Sequence, residues 1–146
     1  MRGGACLLAA VAGLMQAQTS VEYIGGTAPM TAGTRGSIAL SDDRYLAFYA
    51  GKTQVRVPYD RVDLIEYGQQ AGRRLALALV ISPVFLLSKS RKHFLTIGYS
   101  GEDGKQQAMV FRVDKNSIRP TLAGLEARTG LKVQYQDEEA RKARNQ

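Results

Sequence analysis

The chain has 146 residues, with 20 Lys and Arg against 13 Asp and Glu, which gives a formal net charge of +7. Its length predicts a single domain, and its 45% apolar and 23% charged residues are typical of a globular protein. The single Cys and single His exclude a Cys/His zinc site, an iron–sulfur cluster and a disulfide framework, because each needs several such residues.

The first 17 residues have the pattern of a secretory signal peptide. Arg2 is their only charge, Cys6–Met15 is apolar or small, and Ala17 is a small residue before Gln18. About 10 apolar residues are too few for a membrane-spanning helix, which needs roughly 20. We therefore expect cleavage after Ala17 and a secreted or periplasmic protein. The alternative is that these residues form an N-terminal helix of the folded domain.

Short runs of alternating apolar and polar residues follow, separated by Gly, Asp and Pro. This pattern is typical of a β-sandwich or barrel. Within one run, the alternation places Val62 and Leu64 on the side opposite Ile65. The seven predicted strands are Val21–Ile24, Ser37–Leu40, Tyr45–Tyr49, Gln54–Val57, Arg61–Tyr67, Phe94–Tyr99 and Gln107–Val113.

A helical pattern replaces the alternation after the last of these runs. Asn116 or Ser117 is a suitable N-cap, and Pro120 falls in or near the first turn. The spacing of Ile118, Leu122 and Leu125 puts them on one face, and Thr129-Gly130 is a stop signal. We predict a helix over about residues 117–129.

The C-terminal residues divide into two parts. Leu131–Tyr135 is apolar enough for a last short strand or a packed extension, and it ends a β domain that covers residues 18–135. Residues 136–146 are charged and almost free of apolar side chains, which predicts a solvated tail or a frayed helix.

About seven short strands followed by one amphipathic helix resemble the pleckstrin-homology-like superfold, which includes the bacterial PH and GRAM-like domains. Val57–Val62 is similar to the Ile-Pro-Tyr-x-x-Ile strand of small bacterial PH-like proteins. Residues 66–99 also resemble a family of uncharacterised secreted bacterial proteins. The resemblance implies a bent β-barrel or sandwich in which the C-terminal helix closes one open end. The expected fold is therefore mainly β and PH-like, with an apolar insert between two strands.

One expected feature of lipid-binding PH domains is missing. Those domains hold inositol phosphates with Lys and Arg in the first hairpin loop. The expected equivalent here, Ser41–Arg44, contains Asp42 and Asp43, which would repel a polyphosphate. Phosphoinositide binding is therefore not carried over, since a fold alone does not imply a function.

The most apolar stretch after the signal-like N-terminus is Leu75–Leu87, which has no charge and contains Pro83. No acidic residue lies between Glu66 and Glu102, so basic residues alone flank this stretch. The flanking residues account for much of the net positive charge. We expect the insert over residues 73–92 to make the membrane or partner contacts through Arg73, Arg74, Leu75, Leu77, Leu79, Val84, Phe85, Leu86, Leu87, Lys89, Arg91 and Lys92.

Three interpretations of this insert stay open. In the first, the apolar stretch dips into a bilayer while its basic flanks meet anionic headgroups. As a helix its 13 residues would be about 20 Å long, too short for a hydrocarbon core of about 30 Å. In the second it is an ordinary buried element of the domain. In the third it is a partner-binding surface or an oligomer seam.

Other residue patterns give weaker indications of chemistry. His93 has no nucleophile or carboxylate suggested by its spacing, so we expect a structural or surface role. Asp60, Asp63 and Glu66 repeat every three residues, but on a strand they would not share one face, so no metal site is expected. Gly101–Gly104 reads as a hairpin turn rather than a phosphate loop.

These observations predict a non-enzymatic binding module without cofactor or metal. The favoured hypothesis is peripheral association with an anionic membrane surface through the apolar insert and its basic flanks. The alternative is a protein-interaction or envelope scaffold domain whose apolar stretch lies in the core or in an oligomer seam. Nucleic acid is not an expected partner, because the basic cluster brackets aliphatic rather than aromatic residues.

Overall fold

The computed structural model describes residues 18–69 and 93–136. The expected signal peptide, the insert over residues 73–92 and the tail after Gln136 lie outside the described residues. The described elements are β1 (Gln18–Gly26), β2 (Thr34–Ala39), β3 (Tyr45–Ala50), β4 (Thr53–Pro58), the 3-10 helix η1 (Tyr59–Arg61), β5 (Val62–Gly68), β6 (His93–Ser100), β7 (Gln106–Val113), α1 (Lys115–Thr129) and β8 (Gln134–Tyr135).

The strands form one sheet in the order β4-β3-β2-β1-β7-β6-β5-β8. All neighbouring strands are antiparallel except β5 and β8, which are parallel. The sheet is bent and does not close into a barrel. The prediction of a mainly β fold of about seven strands with one C-terminal helix is confirmed. The eighth strand is the two-residue β8, which was expected as either a short strand or a packed extension.

The gap in the sheet lies between the described strands β4 and β5, which do not pair with each other. Pro58 ends β4, and η1 carries the chain from there into β5. The buried Tyr59 anchors this corner, because its backbone N–H donates to the Arg44 carbonyl at 2.9 Å. The chain therefore crosses at this corner from the β4 edge of the sheet to β5, with no ladder of hydrogen bonds between these two strands.

Three aromatic rings from β1, β3 and β7 lie at the centre of the core. The ring of Phe48 is 5.0 Å from that of Phe111 and 6.5 Å from that of Tyr23, between centroids. The Tyr23 and Phe111 rings meet edge to face at 5.9 Å, a favourable geometry for aromatic pairs. The inward side chains of β6 and β7, including Leu95, Ile97 and Met109, belong to the same core cluster as these rings. The core therefore joins the two halves of the bent sheet.

The helix packs on this inner side of the sheet. Ile118, Leu122 and Leu125 are buried in the core cluster, as their spacing predicts. The helix begins two residues earlier than expected, because Asp114 rather than Asn116 is its N-cap. Pro120 therefore lies in the second turn rather than the first. Gly130 ends the helix in the left-handed conformation at φ 74°, which confirms the predicted stop signal.

The alternation expected in β5 is interrupted by a bulge between Val62 and Leu64. Val62 consequently lies in the core with Ile65, on the side opposite to the one that the sequence pattern predicts for it. A bulge adds one residue to one strand and shifts the side-chain alternation beyond it. Periodicity cannot reveal such a shift, so the expected grouping of Val62 with Leu64 was wrong.

Two adjacent strands of the sheet, β6 and β7, have buried side chains on both faces. Leu95 and Phe111 point into the core, whereas their neighbours Phe94, Thr96 and Val110 are 4%, 1% and 0% exposed without belonging to the core cluster. We call this second buried surface the covered face; its members are Ile24, Glu66, Phe94, Thr96, Ala108 and Val110.

The same side of β2, β3 and β4 carries exposed side chains, although the small Ala39 and Ala47 are buried there. Arg35, Gln54 and Arg56 are exposed there, and Tyr49 is 37% exposed. A sheet with one packed and one solvated face is usual for antiparallel strands, and β2–β4 follow that rule. The covered face therefore differs from the rest of its side and needs a separate explanation.

Candidate functional site

A groove lies where several elements meet at one end of the sheet. β1 and β6 begin there, β5 and β7 end there, and α1 follows directly after β7. We call this region the His93 end. The groove has a volume of about 770 Å³ and is open to solvent, and its titratable lining residues are Glu22, Arg35, His93, Arg112, Asp114 and Lys115.

Glu22 on β1 lies between two arginines of the neighbouring strands. It faces Arg35 on β2 and Arg112 on β7 in the pairing register. Its carboxylate forms an ion pair with the Arg112 guanidinium, and the two side chains are only partly exposed. Arg35 is exposed and forms no ion pair among the described residues. One of the two arginines is thus neutralised, while the other presents its positive charge to solvent.

His93 lies at the point where the chain re-enters the sheet. Its Nδ1 atom shares a hydrogen bond with the hydroxyl of Tyr67 on β5, and the two ring planes are within 9° of each other. Burial lowers the pKa of His93 below 6.5, and the positive charge of Lys115 lowers it further against the opposing effect of Asp114. His93 therefore holds β5 and β6 together as a neutral imidazole near neutral pH.

The N-terminus of α1 is capped from within the chain. The Asp114 carboxylate accepts from the backbone N–H of Asn116 at 3.1 Å. The Asp114 carbonyl accepts from the N–H groups of Ser117 and Ile118, each at 3.0 Å. These bonds satisfy donors that would otherwise be available to an anion. The ammonium of Lys115 is thus the more accessible positive group at this corner of the groove.

The predicted contact residues are connected to the His93 end by short lengths of chain. Gly68, the last residue of β5, pairs with Phe94 on β6, so the chain leaves and re-enters the sheet on adjacent strands. All twelve predicted residues, from Arg73 to Lys92, lie outside the described residues. Lys92 directly precedes His93, and Lys89 is within about 15 Å of it, because an extended chain spans at most about 3.6 Å per residue.

The acidic turn that was compared with a PH-domain ligand loop has a structural role. The Asp42 carboxylate accepts from the backbone N–H groups of Arg44 and Tyr45, and these bonds lower its pKa. Asp43 forms an ion pair with Arg128 on α1 at 2.6 Å. Ser41–Arg44 joins β2 to β3, so it is not the first hairpin loop of the sheet; that loop is residues 27–33, which contain no charged side chain.

The acidic residues of β5 also bond within the chain. Asp63 accepts from the Gln106 side chain at 3.0 Å, and the buried Glu66 accepts from the Gln136 side chain at 2.7 Å. Within residues 18–69 and 93–136, no group of three or more His, Cys, Asp or Glu side chains could hold a metal ion. The helix that these ranges contain is too short and too polar to span a membrane.

Sequence reasoning did not identify Glu22, Arg35, Arg112 or Lys115 as site residues. Glu22 and Arg112 are 90 positions apart, and neither belongs to a motif. Only the strand register brings them together. No protein-family model matches the chain, and no curated protein matches it either.

Proposed function

We propose that the chain is a non-enzymatic binding module that associates peripherally with an anionic membrane surface. The contact consists of the basic flanks of the apolar insert, Arg73, Arg74, Lys89, Arg91 and Lys92. The observation that carries the proposal is the pairing of Gly68 with Phe94, since both flanks leave the sheet from adjacent strands at the same end. The five positive charges, which the apolar stretch separates in the sequence, can therefore act on one surface.

The groove adds to the positive charge of this end. Arg35 and Lys115 are exposed beside His93, and Arg112 shares its charge with Glu22. A Lys or Arg near an anionic membrane surface contributes about 1 kcal/mol, so five to seven of them would give a useful affinity. The attraction would weaken steeply with salt, because exposed charges are screened within about 10 Å at 0.1 M ionic strength.

The proposal includes a secreted or periplasmic location and a PH-like fold family. Every described element lies after Ala17, so removal of the expected signal peptide would leave the sheet and helix intact. The bent sheet with one C-terminal helix is the arrangement that the PH-like resemblance implies. The mass of the protein recovered from the medium or periplasm tests the location: a chain that begins at Gln18 is expected, and retention of residues 1–17 would contradict it.

Vesicle co-sedimentation tests the membrane proposal. Residues 18–146 are mixed with phosphatidylcholine vesicles, or with the same vesicles containing phosphatidylserine, at low and high salt. We expect binding only to the anionic vesicles and only at low salt. Charge reversal at Lys89, Arg91 and Lys92 should abolish it.

A matched control variant carries the same change in net charge at three positions outside the flanks of the insert. Charge reversal at Lys52, Arg61 and Lys105 alters three exposed residues. Arg61 and Lys105 lie at strand ends remote from Gly68 and His93, and Lys52 lies in the turn after β3, separated from His93 by the strands β7, β1 and β2. This variant should bind the anionic vesicles with only a small loss. Equal loss in both triple variants would contradict a contact located in the flanks, and no binding by the folded parent chain would reject the membrane proposal.

A second candidate is a protein-interaction or envelope scaffold domain with the apolar stretch inside the fold or in an oligomer seam. The burial of Phe94 and Val110 on the covered face favours it, because water is excluded from a surface that β2–β4 leave open. A scaffold whose basic flanks make no membrane contact would not bind the vesicles. This candidate also predicts that the chain co-purifies with a second copy or with a protein partner.

A further inference from the structure

The covered face is the second side of the β-sheet around β6 and β7, and it is buried although the described segments pack elsewhere. The helix and the segments at Ala28–Met30 and Leu131–Val133 all contact the core cluster on the inner side. Gln136 lies over the β5 edge of the covered side, where its side chain bonds with Glu66 and contacts Gly68. The other described segments do not account for the exclusion of water from Phe94 and Val110.

The composition of the covered face specifies an apolar occupant. Four of its six members are apolar, and the hydroxyl of Thr96 has no hydrogen-bond partner among the described residues. The charged groups on this side are already satisfied, since the member Glu66 bonds with Gln136 and the neighbouring Arg112 pairs with Glu22. A polar or charged segment would lose its hydration here without gaining partners.

We infer that the apolar stretch Leu75–Leu87 of the same chain packs on the covered face as a second layer. This stretch has no charged residue, which matches the lack of unsatisfied charge on the face. The inference does not rest on the proposed membrane function. Combined with it, the inference assigns membrane attachment to the basic flanks alone and removes the apolar stretch from the bilayer.

The ends of the insert lie beside the face that it covers. Gly68 pairs with Phe94, which is itself a member of the covered face. Seven positions separate Gly68 from Leu75 and six separate Leu87 from His93, so each connection can extend about 20 Å or more. Both connections are therefore long enough to carry the stretch over the middle of β6 and β7.

The dimensions agree as well. The eight residues of β6 span about 26 Å, and the four strands β5, β6, β7 and β1 are together about 14 Å wide. A 13-residue helix is about 20 Å long and about 10 Å across, and an extended hairpin of the same residues covers a similar area. Leu75–Leu87 can therefore cover the face in either conformation.

Thiol labelling tests whether this stretch excludes water from the face. In the full chain with Cys6→Ser, a reporter cysteine is introduced by Val110→Cys, and Tyr49→Cys on the open part of the same side is the control. We expect Val110→Cys to react slowly in the intact chain. Replacement of residues 75–87 by an equally long Gly/Ser sequence should accelerate it at least about tenfold, because local protection is lost. The reaction of Tyr49→Cys should not change.

Deletion of residues 1–17 distinguishes the N-terminal segment as an alternative occupant. This deletion should leave the slow reaction of Val110→Cys unchanged. If instead the deletion accelerates labelling and the Gly/Ser replacement does not, the inference is wrong. Fast labelling of Val110→Cys in the intact chain, at the rate of Tyr49→Cys, would also overturn it.

Photocrosslinking covers the case in which the Gly/Ser variant fails to fold. Benzoylphenylalanine at position 94 is activated in the otherwise intact chain, and the products are digested with trypsin. Cleavage after Arg74 and Lys89 releases the whole stretch in one peptide, residues 75–89. An intramolecular crosslink to that peptide supports the inference. A crosslink to residues 1–17, or one between two copies, overturns it.

Discussion

The hydroxyl of Tyr67 and the Nδ1 atom of His93 share a hydrogen bond that joins the end of β5, before the insert, to the first residue after the insert. The two rings are also stacked, with centroids 5.8 Å apart in nearly parallel planes. A second tyrosine, Tyr135 on β8, meets the Tyr67 ring at 80°. This cluster fixes the position from which both flanks of the insert emerge.

Tyr67→Phe removes the hydrogen bond and keeps the ring in place. We expect a loss of about 1 kcal/mol in the free energy of unfolding, because His93 is left with one ring nitrogen without its partner. Tyr59→Phe is the control, since the buried hydroxyl of Tyr59 has no hydrogen-bond partner among the described residues. Urea denaturation measures both. Equal effects of the two substitutions would contradict the role of the Tyr67 bond.

The depressed pKa of His93 predicts a pH dependence of stability. Burial lowers this pKa in the folded chain, so the unfolded chain binds more protons between the folded pKa and about 6.5. The contribution of His93 to stability is therefore fully present above pH 6.5 and is lost as the pH falls through the folded pKa. Denaturant midpoints measured from pH 8 downward should decrease in this range.

His93→Gln isolates this effect from the titration of carboxylates. Glutamine keeps a polar group near Tyr67 but does not titrate, so the decrease just below pH 6.5 should disappear in the variant. Carboxylates in both proteins titrate mainly below about pH 4.5 and give the same slope there. A wild-type profile that is flat between pH 6.5 and 5, or one that the variant reproduces, would refute the assignment to His93.

The elements that the sequence predicts correctly are those with a local signal. The alternation of Leu95 with Ile97, and the helical spacing of Ile118 with Leu122, require only a window of a few residues. The bulge at Val62 and the Glu22–Arg112 pair depend on register between strands, which a window does not contain. The candidate groove was therefore not predictable.

The covered face was also missed, for a related reason. The alternation in β6 and β7 predicts one buried face, yet Phe94 and Val110 on the second face are as deeply buried as the core. Alternation identifies a face that must be buried, but it does not show that the other face is exposed. The available signal is the apolar character of Phe94 and Val110, which face away from the core on two adjacent strands.

The unpartnered hydroxyl of Thr96 predicts a stabilising substitution. Thr96→Val replaces a buried hydroxyl that has no partner among the described residues with a methyl group of similar size. We expect a gain of about 1 kcal/mol, since the cost of burying the hydroxyl is removed. The measurement is the urea midpoint of the full chain.

Thr121→Val is the matched control for this substitution. Thr121 is equally buried, but its hydroxyl donates to the Ser117 carbonyl at 2.7 Å and is 3.0 Å from the hydroxyl of Thr19. This variant should lose about 1 kcal/mol, because the two bonds are broken. If both variants change stability in the same direction, the different environments assigned to the two hydroxyl groups are wrong.

Removal of the negative charge from Glu22 tests the groove and the proposed function together. Glu22→Gln frees the Arg112 guanidinium from its ion pair and raises the positive charge of the His93 end by one. If this end contacts an anionic membrane, the affinity for phosphatidylserine vesicles at low salt should rise about fivefold, from about 1 kcal/mol per added charge. Asp103→Asn makes the same change of charge beside Lys105, in the turn at the opposite end of β6 and β7, and should have little effect. A gain of similar size in both variants would indicate a response to net charge alone, and no gain with Glu22→Gln would separate the groove from membrane binding.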